Sequence, residues 1–444
     1  MVKQASLVSH LEPIVGSEGV SPSEELSAFA VDGLTPLVAA APSTYEQVAE
    51  VARYAHAEGL AVISWGGGTH MHIGNVPSRY DIALSLSRLD RVVEHEPADL
   101  TVTCQAGIAL DQLQRHLGKH GQFVPLGLPA GRHGLPRGEK ATVGGILSAN
   151  ASGPSRHAYG APRDFTIGLR VVIADGRVTK AGGRVVKNVA GYDLCKLYIG
   201  SLGTLGIIVE ATFKLAPLPR AERTVIAAFR TPAQACAFSG ELRRRGLALR
   251  AVQLLNAAAA SLAGQAAARL PAGGGSCALI LDLAGTPQAI ERSRREIGEL
   301  AQGTADLSDA KDPTELSESI SQLSSPAGAF LLCKAAVLPT QLPSLIDSLE
   351  AVSGPPRILG LPTIGVLYAS WPHLDDAEEA IGRLRAATSA VGGSFVIEVC
   401  PLDLKRRLDV FPDVSGPSFD LMRRIKQQFD PQGILSPGRH LGRL

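Results

Sequence analysis

The chain has 444 residues, 45% hydrophobic and 19% charged, with a formal net charge of +1. That length exceeds one ordinary core and implies two or three domains. The near-neutral charge points away from a nucleic-acid partner. No run of about 18 apolar residues marks a membrane span, and no basic-then-apolar N-terminal signal is present, so a cytoplasmic location is expected.

Residues 1–36 read as a helix and an entry segment with a strand. "STYEQVAEVARYAHAEG" then reads as a helix, with Ser43 and Glu46 at capping-box spacing and Gly59 closing it. "LAVIS" follows as a short buried strand, and "GGGTHMHIGN" begins at Gly66. Glycines after a strand let backbone N–H groups approach a phosphate; a lone triplet is equally a tight turn. The dinucleotide fingerprint is excluded, because Met71 stands where its third glycine belongs and the helix precedes the strand. A Walker A loop needs a lysine that this loop lacks.

"DIALSLSRL" and "RVVEHEPADLTVTCQAG" read as short alternating strands, and "ALDQLQRHLGKHG" as an amphipathic helix. "TIGLRVVIADGRVTKAGG" reads as a hairpin turning at "ADGR". From residue 220 to 397, strand-like runs alternate with alanine-rich helices, which fits an antiparallel sheet with helices on one face. The loop "AGGGS" around Gly274 reads as a solvent-exposed linker, and residues 398–444 carry a helix and "DPQGILSPGRHLG". The six cysteines are scattered without C-x-x-C spacing, so zinc-ribbon and iron–sulfur patterns are absent and free thiols are expected.

Three segments join the glycine loop as candidate ligand-facing backbone: "TVGGILSANASG", "YGAPRD" and "VVKNVAGYDLCKLYIGSLGTLGII". Together they resemble the FAD-binding domain of the vanillyl-alcohol oxidase and p-cresol methylhydroxylase (PCMH) superfamily. With the tail "DPQGILSPGR" they resemble, within it, the E-type FAD-binding subunits of bacterial glycolate oxidases. The resemblance covers residues 37–219 and 398–444. It implies an α+β protein: a two-subdomain PCMH-type FAD-binding domain over 37–219, an inserted α+β cap of antiparallel sheet and helices over 220–397, and a C-terminal segment, 398–444, returning to the FAD domain.

By the same resemblance, the backbone of Gly66, Gly67, Gly68, Thr69 and His70 cradles the FAD pyrophosphate. Thr142, Gly144 and Gly145 line the flavin and diphosphate. Ser152, Gly153, Tyr159 and Gly160 continue that wall, and Gly206 and Ile207 offer main-chain groups. Two readings of Lys187 and Asp193 stand open: contact with ribose or flavin, or a local ion pair. Arg439 likewise either reaches the flavin site or bridges a domain seam.

The sequence departs from the resemblance twice. Covalent members place a histidine directly after the glycine loop, where this chain has Thr69; His70 and His72 fall later, so non-covalent FAD is expected. Related hydroxy-acid dehydrogenases carry cap and tail histidines and a Glu-His pair that bind metal and substrate carboxylate. Here Glu398 is followed by Val399, and only His373 and His440 lie beyond residue 220, so no metal site is expected and the catalytic residues stay unassigned.

The resemblance implies oxidation of glycolate or a similar 2-hydroxy acid. A second flavin subunit and an iron–sulfur subunit are the implied partners, with membrane association only peripheral, through them. The alternatives are a stand-alone D-lactate or 2-hydroxy-acid dehydrogenase and a non-catalytic FAD-carrying subunit.

Overall fold

The computed structural model describes all residues except 1, 127–139, 184–191, 265–269, 271–275, 325–326, 352–353 and 355. Lys187 and Gly274 therefore lie outside the described residues.

The N-terminal third is built around a small parallel sheet. Ile82–Ser85 lies between Val38–Ala40 and Val62–Trp65, and both pairs are parallel. All four residues of Ile82–Ser85 are buried, so this is a central strand and not the alternating one expected. The helix Tyr45–Glu58 packs Val48, Val51, Ala52 and Ala55 against this sheet, and Gly59, at φ 63°, closes it. Its N-cap is Thr44, one residue after the expected Ser43: Thr44 Oγ1 accepts from Gln47 N, and Gln47 Oε1 accepts from Ser43 N at 2.7 Å. Ahead of this sheet, the helix Val2–Val15 leads through two 3-10 turns and short bridges, with no strand before Val38 among the described residues.

A five-stranded antiparallel sheet follows, in spatial order Val92–Glu96, Thr101–Gln105, Ile207–Lys214, Thr166–Val172 and Val178–Gly182. One hydrophobic core joins both sheets and takes in Ile434 and Leu435 from the tail. The tail lies along Val62: Val62 N donates to Ile434 O, and Ser436 N donates to Val62 O, each at 2.8 Å.

Residues 221–399 form an eight-stranded antiparallel sheet. Its order is Asp306–Asp309, Ala221–Phe229, Cys277–Gly285, Leu249–Asn256, Arg357–Leu361, Val366–Trp371, Leu331–Ala336 and Ser394–Val399. Long helices, among them Pro287–Ala301 and Ala377–Ala390, cover one face. The other face is not bare: Ala257–Leu262 and Pro313–Ser321 pack on part of it. The short helix Arg156–Tyr159 of the first domain contacts it at Leu249–Asn256, and His157 Nδ1 meets Thr363 Oγ1 at 2.8 Å. This second apolar layer arises because both faces of these strands alternate into hydrophobic residues, as in Leu331–Ala336.

Candidate functional site

A cleft opens where the strand Val62–Trp65 runs into the glycine loop. One wall is Gly66–Met71. The facing wall is the start of the helix Val143–Ala149, with Thr142, Gly144, Gly145, Ser148 and Ala149. Ala106, Leu202, Ile208 and Arg439 complete it.

The two walls differ in what their amides can do. On the helix side the N–H groups are occupied: Val143 N donates to Ile108 O, Gly144 N to Ala106 O at 2.7 Å, and Gly145 N to the Thr142 cap. On the loop side, none of the amides of Gly66, Gly67, Gly68, Thr69 or His70 donates to an acceptor among the described residues. Successive unpaired amides around a cleft fit an anion such as a diphosphate.

The glycines also allow the walls to meet. A Cβ on Gly67 would stand 1.4 Å from the Lys140 carbonyl oxygen, and one on Gly66 2.0 Å from Thr142 Oγ1. The positive φ of the triplet sits on Gly68, at 76°. Gly66 and Gly67 are therefore required by close approach and Gly68 by conformation.

The loop is held from behind by groups far away in sequence. The Arg439 guanidinium, buried and from the tail, donates to the carbonyls of Met71 and Ile73. Lys405 donates to His72 O at 2.8 Å while paired with Asp32 at 2.8 Å. Asn75 is fully buried between Asp409 and His440 O and accepts from Val410 N. Arg439 thus lines the cleft and clamps the loop through carbonyls. Its Nε is buried without a partner among the described residues. Lys405, Asn75 and Asp409 have no local signature in the sequence; only the tertiary fold brings them to the loop.

The loop histidines sit in the same shielded place. Burial, and then the charge of Lys334, push the His70 imidazole down to about 4. Burial, with His70, Lys405 and Arg439, pushes His72 down to about 3. Both rings are neutral at ordinary pH. They lie 6.2 Å apart, and His70 Nδ1 meets Thr69 Oγ1 at 3.0 Å.

Eight of the sequence-predicted positions come together here: Gly66, Gly67, Gly68, Thr69, His70, Thr142, Gly144 and Gly145. Ser152, Gly153, Tyr159, Gly160, Gly206 and Ile207 are not among the residues lining the cleft. Ile207 and Ile208 are both buried in the core, and Ile208 also lines the cleft. Gly206 is a packing position, since a Cβ there would stand 2.5 Å from Val171 Cγ1. Ser152 and Gly153 lead into the short helix Arg156–Tyr159, where Gly153 O accepts from Arg156 N at 3.1 Å. Gly160, at φ 80°, ends that helix, and Tyr159 lies edge-on to Phe123 at 5.4 Å. Asp193 makes an exposed ion pair with Lys196 at 3.4 Å.

No three His, Cys, Asp or Glu groups among the described residues are arranged to hold a metal ion. His373 is an exposed partner of Asp375, and His440 faces Gly200 O at 3.2 Å. Neither histidine therefore belongs to such a group among the described residues. No helix of the described residues is long and apolar enough to cross a membrane.

Residues 36–182 match the family model of the FAD binding domain, and residues 218–353 and 412–440 match that of the C-terminal domain of FAD linked oxidases. The chain is 35% identical over 231 residues to a D-lactate dehydrogenase of Archaeoglobus fulgidus, covering 50% of this chain and 49% of that one. It is 32% identical over 190 residues to glycolate oxidase subunit GlcD of Bacillus subtilis, covering 43% and 39%. These matches thus span half or less of the relatives' own length. Among solved structures, p-cresol methylhydroxylase with substrate bound superposes with a TM-score of 0.70 at 15% identity, covering 98% of this chain and 96% of that one. At that identity the likeness establishes the PCMH-type α+β fold alone. The unpaired loop amides, the close-packed glycines and the orphaned Arg439 Nε fit FAD as the occupant of the cleft.

Proposed function

We propose, for a chain carrying the FAD binding domain and the C-terminal domain of FAD linked oxidases, that it is a FAD-dependent oxidoreductase acting on the CH–OH group of small 2-hydroxy acids. The observation that carries this reading is the cleft with five amides at Gly66–His70 that have no acceptor among the described residues. These amides hold the diphosphate, with no lysine or arginine inside the loop. Thr142, Gly144 and Gly145 form the opposite wall, and their small side chains allow a planar ring to lie close. When bound, the flavin supplies the hydride acceptor. The protein binds and orients the acid, keeps His70 and His72 neutral, and shields the site under the cap sheet.

The finer reading is a flavin subunit of a glycolate oxidase complex that passes electrons to an iron–sulfur partner. It is supported by the similarity to GlcD. In it FAD is non-covalent, because Thr69 holds the place of the linking histidine. A stand-alone D-lactate dehydrogenase is the second reading, favoured by the match to the Archaeoglobus protein.

The test is dye reduction by the purified, FAD-loaded chain with glycolate and with D-lactate, alone and after co-expression with candidate partners. Activity only with partners supports the complex. Full turnover alone supports the stand-alone enzyme. No oxidation of either acid in any assembly contradicts the activity.

A further inference from the structure

The cap sheet carries a polar cluster on its otherwise apolar face toward the first domain. Lys334 lies in the strand Leu331–Ala336, between Leu332 and Ala336, which pack in the apolar layer. Tyr368 stands directly opposite it on the neighbouring strand, with the ammonium 5.4 Å from the ring centre. On the other side, the pairing with Ser394–Val399 shifts register: Leu332 pairs with Val399 and Cys333 with Ile397. Glu398 is thus the extra residue of a bulge, a device that re-aims a side chain. Its carboxylate lies 4.0 Å from the Lys334 ammonium, close enough for an ion pair but too far for a hydrogen bond.

The cluster has a positive excess. Arg156, in the helix that contacts this sheet, makes no ion pair among the described residues and acts on both Lys334 and Tyr368 by its charge. Among the described residues Glu398 is the one acid that acts on the group, and burial raises its pKa. Tyr368, and then Glu398, hold the Lys334 pKa up against its burial. Charges placed in a low-dielectric setting cost several kcal/mol unless well paired, so a pair left at 4.0 Å beside a spare arginine is poised for a further partner. The Lys334 charge also reaches His70, which lines the FAD cleft.

We propose that Lys334 and Arg156 bind the carboxylate of a small 2-hydroxy or 2-oxo acid without a metal ion, while Glu398 and Tyr368 fix the ammonium and hydrogen-bond the neighbouring oxygen. This rests on the oxidoreductase reading above for the choice of acid, and it concerns binding only. A lysine ammonium here supplies positive charge where no group of three metal-ligating side chains occurs among the described residues.

The experiment is calorimetric titration of pyruvate, a 2-oxo acid that does not reduce flavin, into the FAD-loaded full chain at pH 8, with EDTA present throughout. The wild type is expected to bind. Lys334→Met should weaken binding about ten- to a hundredfold, the range of a charged hydrogen bond, and Arg156→Gln about tenfold. Glu398→Gln should tighten it a few-fold, because a negative charge leaves an anion site. Flavin content and melting temperature, measured on each variant, identify any that fail to fold. Weakening by Lys334→Met with tightening by Glu398→Gln is a pattern a merely structural cluster would not give. Unchanged binding in a folded Lys334→Met variant, equal weakening in both variants, or binding abolished by EDTA in the wild type would each overturn the proposal. Absence of FAD from the wild-type chain would instead refute the cofactor reading, whereas bound FAD without pyruvate binding refutes only the carboxylate site.

Discussion

The glycine loop and the cap sheet are built from opposite materials. The loop side is backbone: three glycines, five amides without an acceptor among the described residues, and small residues, with its charges, Arg439 and Lys405, placed behind the loop. The cap side is side chain: Lys334, Tyr368 and Glu398 on three adjacent strands of an apolar sheet. Backbone recognition tolerates no Cβ and carries little charge to titrate. Side-chain recognition tolerates backbone variation and depends on ionisation. Substitutions should separate the two sides accordingly.

The largest effect is expected at Gly67. A valine there would drive its Cβ to 1.4 Å from the Lys140 carbonyl oxygen. The two walls must part, and FAD should be lost from purified Gly67→Val. Gly240→Ala, on a cap helix with nothing within 4 Å of its Cβ position, should keep a wild-type flavin-to-protein ratio. Full flavin in both variants would remove the loop from the cofactor site.

Next is the tail that backs the loop. Lys426 and Asp430 pair at 2.6 Å in the core, and Asp430 also accepts from the amides of Ile434 and Leu435. Asp430→Ala would leave a buried ammonium without its counter-charge and should cost about 3–5 kcal/mol in denaturant unfolding. A loss below about 1 kcal/mol would mean that the tail is held by its apolar contacts alone.

A smaller effect comes from the loop histidines. His70 and His72 have folded pKa values of about 4 and about 3, below the ordinary 6.5. Between these limits the unfolded chain binds more protons than the folded one, so stability falls as pH drops from about 6.5 toward 4. The loss should be on the order of 1–3 kcal/mol per histidine, after allowing for water in the open cleft. His70→Gln should flatten that part of the pH–stability curve. An unaltered slope would show that the ring is solvated. The smallest effect is at the helix cap on the facing wall: Thr142→Ala should cost about 1 kcal/mol, read as a modest drop in melting temperature.

The loop side is legible in the sequence because its signal is local. A glycine run after a strand, and "TVGG" at a helix start, sit in short contiguous segments. Thr142, Gly144 and Gly145 stand out for the same reason. The cap cluster leaves no local signal. Lys334, Tyr368 and Glu398 lie 30 or more positions apart, read singly as polar residues in apolar strands, and meet through register and a bulge. Histidine spacing is silent there, because a lysine carries the charge instead. The cap's antiparallel sheet is foreseen in kind, but not the second apolar layer, which the helices Ala257–Leu262 and Pro313–Ser321 build on its other face.

The most direct test of the backbone cradle is amide hydrogen exchange of the full chain with and without FAD. The five amides of Gly66–His70 have no protein acceptor among the described residues, so they should exchange fast in the FAD-free chain and slow by more than about tenfold when FAD binds. The already bonded amides of Val143 and Gly144 should change little. FAD binding that leaves Gly66–His70 as fast as before would contradict the account.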